Sequence, residues 1–515
     1  MTGLAEYVTD VPYVRAFEND LSPARVRLAA ALNGFAPPPA DGFDYCELGS
    51  AHGDTTATLA AAYPRSRFVG VDLNAEHIAS ANRLSTEGQL ENIRFLERDF
   101  EDLPREDLPD FDFITAHGVL SWVGPVKRKA VLDFASAKLR PGGLLHVSYN
   151  ALPGWAPIEP LRQLIAGRAS LGDGDSLARA RAGLDLAKQL AGQGAEYFTS
   201  NPAAQAMLAK MEKLGLAYIA HEYLHAHWVP MYFAQVAAEM AAVGLYFVGQ
   251  LPPYLNYRDL AIPPPLAETF RAIDDRVAFE SLKDFALNEY FRRDVFIKGR
   301  AQRSDGATRA YLDATPFGGP LAGGPVPREV KLPYQTIHYA GAVFDALLPA
   351  IEAGATTLAA LASRAEVASF GEPRVRDAVL RLTLGEAVVP MLEPTRAVSA
   401  PGDALYRLPS AYNRLVLREG LSTGAPITLA SRAAGTGLEL STVEGVALFL
   451  LTEVPGGERR GWVQARCGRE SFRLTVRGQS IAGKDEQVQT LLAEVDRFSA
   501  VRMPRMLELG VVDRA

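Results

Sequence analysis

The segment YCELGSAHGD, residues 45–54, combines acids and glycines at the end of a short apolar run. Gly49 and Gly53 lack side chains, so a ligand can approach the backbone ahead of the helix-like run that follows. The spacing lacks the third glycine of a dinucleotide-binding loop, and no Lys-Ser or Lys-Thr pair of a phosphate-binding loop follows. Glu47 and Asp54 would repel a pyrophosphate. The segment therefore predicts a loop that binds a ligand with positive charge and no phosphate.

S-adenosylmethionine suits such a loop because it carries a sulfonium and an ammonium group. Later strand ends supply further groups for it. Asp72 is placed to accept hydrogen bonds from the ribose hydroxyls. Asp99 and Phe100 suit the adenine amino group and ring, and His117 follows the strand that ends nearest the methyl group. The predicted cofactor-binding residues are Glu47, Gly49, Ala51, His52, Gly53, Asp54, Asp72, Leu73, Asp99, Phe100 and His117.

The elements that must position these residues are visible as an alternating pattern. From about residue 43 to 150, short apolar runs alternate with helical patterns. Such repetition is typical of a mostly parallel sheet covered by helices. Ahead of it, a helix is predicted to begin at Ser22 and to end near Gly34. A Pro-Gly-Gly sequence at residues 141–143 predicts a turn into the last strand.

The ordered acids and glycines, with the LRPGG turn at residues 139–143, resemble the class I S-adenosylmethionine-dependent methyltransferases over roughly residues 40–150. Residues 117–155 and 221–250 look like bacterial methyltransferases with a methyltransferase regulatory domain, a group that includes rickettsial protein lysine methyltransferases. The class I methyltransferases usually have a third glycine where Ala51 stands. The resemblance implies a catalytic mouth roofed by the N-terminal segment and the middle domain. The implied lid residues are Tyr7, Tyr13 and Phe17.

Together these observations predict an α/β fold with several parts. A Rossmann-like, seven-stranded class I methyltransferase domain would be followed by a mixed α/β middle domain and a mostly helical, winged-helix-like C-terminal region. The predicted divisions are a lid segment at residues 1–40, a methyltransferase domain at 41–155 with a helical continuation to about 210, a regulatory domain at 211–302, a linker at 303–330 and a C-terminal domain at 331–515.

The resemblance does not settle the methyl acceptor, and the leading hypothesis is transfer of a methyl group from S-adenosylmethionine to a protein lysine. A lysine nucleophile must first lose its proton, and its ordinary pKa is about 10.4. An apolar channel, or a nearby carboxylate or hydroxyl, is therefore needed. The candidate catalytic residues, at strand ends where this channel should lie, are Tyr149, Asn150 and Trp122. For Trp122 and Trp155, lining the channel and packing in the core are both open.

Two other patterns compete with this interpretation. HEYLH at residues 221–225 matches the H-E-x-x-H zinc motif, but Pro230 interrupts the long helix that such a site needs, so packing rather than a metal is predicted. Residues 336–393 are compatible with a winged helix, yet the candidate recognition helix balances three arginines against three acids. Protein contacts or dimerisation are favoured there. The remaining alternatives are a small-molecule N- or O-methyltransferase and a cofactor-binding regulator with a winged-helix C-terminal domain.

Composition limits the partners and the compartment. The 515-residue chain has a formal charge of -7 and no excess of Lys and Arg, which argues against nucleic acid as its main partner. Cys46 and Cys467 are its only cysteines, so neither a disulfide framework nor a thiolate zinc site is expected. No uninterrupted apolar stretch is long enough to predict a membrane span, and a cytoplasmic location is expected. The expected partner is a protein or small-molecule methyl acceptor, and a homodimer is compatible with the sequence.

Overall fold

The computed structural model describes residues 6–11, 13–400, 404–468, 474–476 and 479–515. Strands and helices alternate in its first part. In chain order they are α1 (Pro23–Leu32), β1 (Asp44–Leu48), α2 (Asp54–Ala62), β2 (Arg67–Asp72), α3 (Ala75–Glu87), β3 (Ile93–Glu97), β4 (Phe111–Ala116), α4 (Pro125–Lys138) and β5 (Leu139–Asn150).

Two later strands, β6 (Leu245–Gln250) and β7 (Phe291–Lys298), complete a seven-stranded sheet among the described residues, in the order β3-β2-β1-β4-β5-β7-β6. β1 to β5 run parallel, and β7 is antiparallel to β5 and β6. The predicted Rossmann-like, seven-stranded fold is confirmed. The middle segment, however, does not form a separate sheet. Its strand β7 pairs along β5, with Leu144 opposite Ile297, so the catalytic sheet includes both segments.

Local signals in the sequence agree with where these elements begin and end. α1 follows Ser22 with a proline in its first turn, and the chain turns away at Gly34, whose φ is +87°. The Pro-Gly-Gly sequence, predicted as a turn into the last strand, instead lies inside β5. The register with β4 shifts there, since Phe111 pairs with Leu139 and Phe113 pairs with Leu144. The strand order reverses beside β1, at the point where ligands bind in open α/β sheets.

Six helices follow β5 along the described chain, before β6. They are α5 (Glu159–Ser170), α6 (Ser176–Gly192), α7 (Glu196–Thr199), α8 (Pro202–Leu214), α9 (Leu216–Tyr223) and α10 (Phe233–Ala242). Val8 and Val11 of the N-terminal segment belong to the same apolar cluster as Trp155 and Trp228. The N-terminal segment is therefore packed against these helices.

The segment predicted to be a linker is ordered and packed. The elements after α10 are α11 (Arg258–Ala261), α12 (Ala267–Arg271), α13 (Arg276–Leu287), α14 (Asp305–Ala314), β8 (Phe317–Gly318), β9 (Glu329–Lys331) and β10 (Thr336–His338). Thr308 of α14 donates a hydrogen bond to the carbonyl of Ala31 at 2.7 Å. Tyr311 and Leu312 are buried in a core that also includes Leu28. The Gly and Pro content of this stretch predicts a linker, but the apolar face of α14 packs on α1.

The C-terminal part is mostly helical. It consists of α15 (Ala342–Glu352), α16 (Leu358–Ala362), α17 (Ala365–Ala368), α18 (Glu372–Leu384), β11 (Val389–Pro390), β12 (Tyr406–Arg407), α19 (Ala411–Thr423), β13 (Ile427–Ser431), β14 (Thr436–Leu440), α20 (Thr442–Glu453), α21 (Arg459–Cys467), β15 (Leu474–Val476), β16 (Gln479–Ile481), α22 (Lys484–Glu508) and β17 (Asp513–Arg514). The extended segment after α18 pairs with β8. Across the described ranges, no helix combines the length and apolar character needed to cross a bilayer.

The C-terminal part packs directly on the catalytic sheet. One apolar cluster runs from Phe43 and Tyr63 beside the sheet to Leu448 in α20. The hydroxyls of Thr58 in α2 and Tyr412 in α19 lie 2.8 Å apart. The helix that follows the predicted cofactor loop is therefore held from its outer side by the last third of the chain.

Candidate active site

The loop between β1 and α2 has a left-handed backbone at three positions. Gly49 has φ +80°, Ala51 +44° and Gly53 +77°. An alanine in this conformation costs roughly 1–2 kcal/mol, which explains why a glycine is usual at this position. The backbone N–H of Ala51 donates to a carboxylate oxygen of Asp72 at 2.9 Å. That hydrogen bond ties the strained residue to the end of β2.

The two glycines of the loop are required for different reasons. A Cβ at Gly49 would lie 2.8 Å from the Val119 side chain, and Gly49 lines a cavity. A Cβ at Gly53 would lie 2.6 Å from the Phe95 ring, and Gly53 does not line the cavity. Gly49 therefore allows close packing on Val119 at the cavity wall, whereas Gly53 lets the loop pack on β3.

Two acids of the site are held at adjacent strand ends. Glu47 is buried, and this burial raises its pKa to about 8, although the Thr56 hydroxyl donates a hydrogen bond to it. The two carboxylate oxygens of Asp72 accept 2.9 Å hydrogen bonds from the backbone N–H groups of Ala51 and Asn74. Each carboxylate oxygen has a further lone pair. Asp72 is thus fixed in orientation and can still accept bonds from ribose hydroxyls.

The other two predicted acids are paired within the protein. Asp54 accepts hydrogen bonds from the Arg15 guanidinium, and the shortest of these nitrogen–oxygen distances is 2.6 Å. Asp99 pairs with Lys127. Both acids line the cavity, but each has a cation beside it. Asp54 is therefore not the unpaired negative charge that was predicted from the sequence, because Arg15 of the N-terminal segment neutralises it.

A cavity of about 780 Å³ lies at the carboxyl ends of β1, β2, β4 and β5. It brings together most of the residues singled out in the sequence. The predicted residues that line it are Tyr7, Tyr13, Glu47, Gly49, Ala51, His52, Asp54, Asp72, Leu73, Asp99, Phe100, His117, Trp122 and Asn150. Those that do not are Phe17, Gly53 and Tyr149.

Tyr149 lies outside the cavity because side chains alternate along a strand. Its neighbour Asn150 faces the cavity, so Tyr149 points to the opposite face of β5. Its hydroxyl donates to Asp294 at 2.6 Å, and Asp294 also accepts a bond from Arg292. This buried network joins β5 to β7. The structure therefore gives Tyr149 a position in the core instead of a position in the channel.

Part of the N-terminal segment, including Tyr7, Val11 and Tyr13, lies over the cavity, and we call this part the roof. The Tyr7 ring lies 5.4 Å from the His225 ring, and the Tyr13 ring meets His221 edge-on at 5.0 Å. A ring nitrogen of His221 hydrogen-bonds the Val11 carbonyl at 2.7 Å. Phe17, the third predicted lid residue, is instead buried in the main core, where its ring would lie 3.0 Å from a Cβ placed at Gly437. Tyr7 and Tyr13 alone of the predicted lid residues face the cavity.

The far side of the cavity is a channel walled by aromatic rings, some of which the sequence analysis did not identify. Trp122 lines it and donates its indole N–H to the carbonyl of Glu222 at 3.3 Å. The residues missed are Tyr218, Glu222, Tyr223, Tyr290 and Phe291, which come from α9 and from the start of β7. The HEYLH motif was the one local signal that pointed to Glu222. We refer to this side, with Trp122, Trp155 and Asn150, as the acceptor channel.

Two groups that line the cavity, His117 and Glu222, have strongly shifted pKa values. Burial, together with the smaller effect of the nearby Arg293, lowers the pKa of His117 to about 4. Its ring nitrogen hydrogen-bonds Ser148 at 2.9 Å. Burial raises the pKa of Glu222 to about 8, against the opposing effects of Asn150 and Lys210. His117 is therefore neutral near pH 7, and Glu222 is a carboxyl group in an apolar setting.

The motif that resembled a zinc site has other contacts. His221 and His225 contact the roof, as described above. Within the ranges that the structure describes, no group of three or more His, Cys, Asp or Glu side chains is arranged to hold a metal ion.

Two family models match the chain. One, described as "Methyltransferase domain", matches residues 46–145. The other, described as "Predicted methyltransferase regulatory domain", matches residues 216–298. The first contains the cofactor loop and the strands up to β5, and the second contains α9, β6 and β7. The regulatory domain thus supplies both the last two strands of the sheet and one wall of the acceptor channel.

Relatives and a solved structure cover different shares of the chain. Uncharacterized protein sll1526 of Synechocystis is 28% identical over 515 residues, which is 99% of this chain and 100% of that protein. Uncharacterized protein RP789 of Rickettsia prowazekii is 28% identical over 286 residues, 55% of this chain and 51% of that protein. The solved structure of PKMT2 from Rickettsia typhi in complex with AdoHcy aligns with a TM-score of 0.72 at 20% identity, covering 97% of this chain and 99% of that one. At this identity the likeness shows a shared fold.

Proposed function

We propose that this chain, an S-adenosylmethionine-dependent methyltransferase of the class I fold with a methyltransferase regulatory domain, methylates the side-chain amine of a lysine in a protein. The observation that carries the proposal is a single cavity that joins the β1–α2 loop to the roofed, aromatic acceptor channel. A lysine side chain is a slender aliphatic stem with a cationic tip. An aromatic channel that ends beside a cofactor site suits that shape and charge.

The cavity residues fit S-adenosylmethionine. The Ser50 hydroxyl lines the cavity, is buried and has no hydrogen-bond partner among the described residues, so it is available to a ligand. Gly49, which has no side chain, also lines the cavity. Asp72 would hold the ribose, and Glu47 would face the positively charged part of the cofactor. Phe100 would pack on the adenine ring.

The cofactor, when bound, supplies an electrophilic methyl group. The protein holds the acceptor in line and removes its water. Tyr13, Trp122 and Tyr290 line the path, and a charged ammonium that enters among these rings loses hydration, which favours the neutral amine. His117 is uncharged and so places no repelling charge beside the acceptor nitrogen. The rings also hold a methylated ammonium, by cation–π contacts worth roughly 0.5–2 kcal/mol each.

Two further observations support a protein acceptor. Tyr290 lines the cavity and is also 49% exposed, so the channel reaches the surface where a folded or extended substrate could present a lysine. The sequence resembles rickettsial protein lysine methyltransferases over the catalytic and middle segments, and the whole fold is that of PKMT2 from Rickettsia typhi.

The test is to incubate the purified full chain with isotope-labelled S-adenosylmethionine and a bacterial protein extract, and then to map label by tryptic mass spectrometry. Methyl label on lysine Nζ atoms is expected. An Asp72→Ala variant under the same conditions controls for label that other enzymes transfer. Label confined to small molecules would replace the proposal with a metabolite methyltransferase.

A further inference from the structure

Glu222 occupies a central position in the acceptor channel. It lies in α9, lines the cavity, and one of its carboxylate oxygens accepts a 3.5 Å hydrogen bond from the amide of Asn150. Asn150 ends β5, and Trp122, whose indole N–H bonds to the Glu222 carbonyl, follows β4. The regulatory domain therefore places this acid at the edge of the sheet where methyl transfer is proposed to occur.

Glu222 faces few charges. The titratable or charged groups around it are Tyr13 from the roof, Lys210 from α8 and Tyr218 and Tyr223 from α9. Among the described residues, no Lys or Arg lies within ion-pair distance of Glu222, and the Lys210 ammonium is instead 5.9 Å from the centre of the Tyr290 ring. A buried carboxylate without a cation is costly unless a ligand supplies one.

We propose that Glu222 is a further catalytic residue, which binds the acceptor ammonium in the channel and takes one proton from it before methyl transfer. This inference rests on the proposed function for its choice of an amine acceptor. One N–H bond of the ammonium breaks and its electron pair stays on nitrogen, while an O–H bond forms on the Glu222 carboxylate. A charged pair becomes a neutral acid and a neutral amine, an exchange that a low-dielectric channel favours.

The acidity of the two groups supports this transfer. The pKa of Glu222 near 8 lies much closer to that of a lysine ammonium, about 10.4, than an ordinary glutamate pKa of about 4.3 does. A proton moves more readily between groups of similar acidity. After methyl transfer, the proton on Glu222 returns to solvent when the roof opens and product leaves.

The HEYLH motif then acquires one combined role. His221 bonds to the Val11 carbonyl and His225 packs on Tyr7, so both histidines attach the roof to α9. Glu222 lies between them along the chain. The same five residues therefore supply the proton acceptor and the contacts that keep water away from it.

The first test measures amine binding and needs no protein substrate. n-Butylamine, which reproduces the tip of a lysine side chain, is titrated calorimetrically into the full chain saturated with S-adenosylhomocysteine. We expect the wild type to bind it and Glu222→Gln to bind it at least about tenfold more weakly at pH 7.5. The matched control is Glu212→Gln, whose carboxylate pairs with Lys188 at the surface of α8. No binding by the wild type, or equal affinity in Glu222→Gln, would overturn the proposal.

The pH dependence gives a second readout. Below the pKa of Glu222, binding of the ammonium must release one proton, so affinity rises about tenfold per pH unit and levels off near pH 8. In Glu222→Gln this rise should be absent, because no carboxyl group remains at that position to release a proton. Glu222→Asp keeps a carboxylate on a shorter arm and should lie between the two. An unchanged affinity for S-adenosylhomocysteine shows that each variant is folded. A rise in affinity below pH 8 that persists in Glu222→Gln would assign the released proton to another group and overturn the inference.

Turnover separates this inference from the proposed function. With a lysine acceptor found by labelling, Glu222→Gln should lower kcat at least about 100-fold with little change in the KM for S-adenosylmethionine. If the enzyme labels no protein lysine but butylamine binding still depends on Glu222, the protein-lysine assignment fails and the amine site stands. If lysine is labelled equally by wild type and Glu222→Gln, the amine site fails and the proposed function stands.

Discussion

Asp72 holds both the cofactor loop and, by our assignment, the ribose. Replacing it with alanine removes the acceptor of the Ala51 and Asn74 backbone bonds as well as the ribose contact. We expect S-adenosylhomocysteine to bind Asp72→Ala at least about tenfold more weakly in calorimetry, the loss of one or more hydrogen bonds to a charged group. Asp72→Asn retains one acceptor and should lose less. Unchanged affinity in Asp72→Ala would remove the ribose assignment.

Ala51 stores backbone strain at the same loop. A glycine relieves roughly 1–2 kcal/mol of left-handed strain but adds freedom to the unfolded chain worth roughly 0.5–1 kcal/mol. Ala51→Gly should therefore raise the free energy of unfolding by up to about 1.5 kcal/mol in urea titrations. Gln89, with φ +56° and outside the cavity lining, offers a control. Gln89→Gly should also stabilise but leave cofactor affinity unchanged. Destabilisation by Ala51→Gly would show that the strain is not at this residue.

Glu47 couples cofactor binding to protons. Burial raises its pKa to about 8, so it is largely protonated in the free protein at pH 7. A cationic ligand favours the ionised form, so binding releases a proton and affinity rises between pH 6 and pH 8. The pKa of Glu47 is higher in the folded protein than in the unfolded chain. Its contribution to the free energy of unfolding is therefore fully present below the unfolded pKa and is lost as the pH rises through about 8. Calorimetry in buffers of different ionisation enthalpy measures the released proton. A Glu47→Gln variant that releases as many protons as the wild type would contradict the assignment.

At the scale of elements, the roof is attached at two ends. Arg15 pairs with Asp54 at the start of α2 and with Glu419 in α19, while His221 holds the Val11 carbonyl. The roof therefore depends on ion pairs that salt screens in part.

We expect Arg15→Gln to raise the dissociation rate of S-adenosylhomocysteine about threefold to tenfold in stopped-flow measurements at low salt, because the roof opens more often. The difference from wild type should shrink in high salt. The control is Arg65→Gln, whose pair with Asp41 is at the surface and away from the cavity. A dissociation rate that Arg15→Gln leaves unchanged at low salt would show that the ion pairs do not hold the roof.

At the scale of the whole molecule, the C-terminal part and the catalytic sheet share one core. Leu448 and Tyr63 belong to the same apolar cluster, and Thr58 contacts Tyr412. Calorimetry of the full chain should therefore show these parts unfolding together. S-adenosylhomocysteine at 100 times its Kd should shift that whole transition, since it adds about 2.7 kcal/mol to the folded state. If calorimetry instead showed two transitions and the ligand shifted only one of them, the two parts would unfold independently.

The sequence by itself determined the features that depend on near neighbours. The strand–helix repeat, the ends of α1 and the loop with Gly49 and Ala51 follow from side-chain periodicity and turn chemistry, which act within a few residues. Asp72 was also predicted to lie at the ligand site, because it ends β2 and the end of a strand fixes where its last side chain lies.

Only the tertiary structure decided which distant segments meet. Strand β7 returns from beyond residue 290 to pair with β5, and α9 places Glu222 beside Asn150. Arg15 reaches Asp54 and cancels the charge that the sequence argument relied on. Tyr149 was assigned to the channel because sequence proximity to Asn150 does not reveal which face of the strand is turned to the cavity. These outcomes depend on how the whole chain closes around its cores, and no local pattern carries that information.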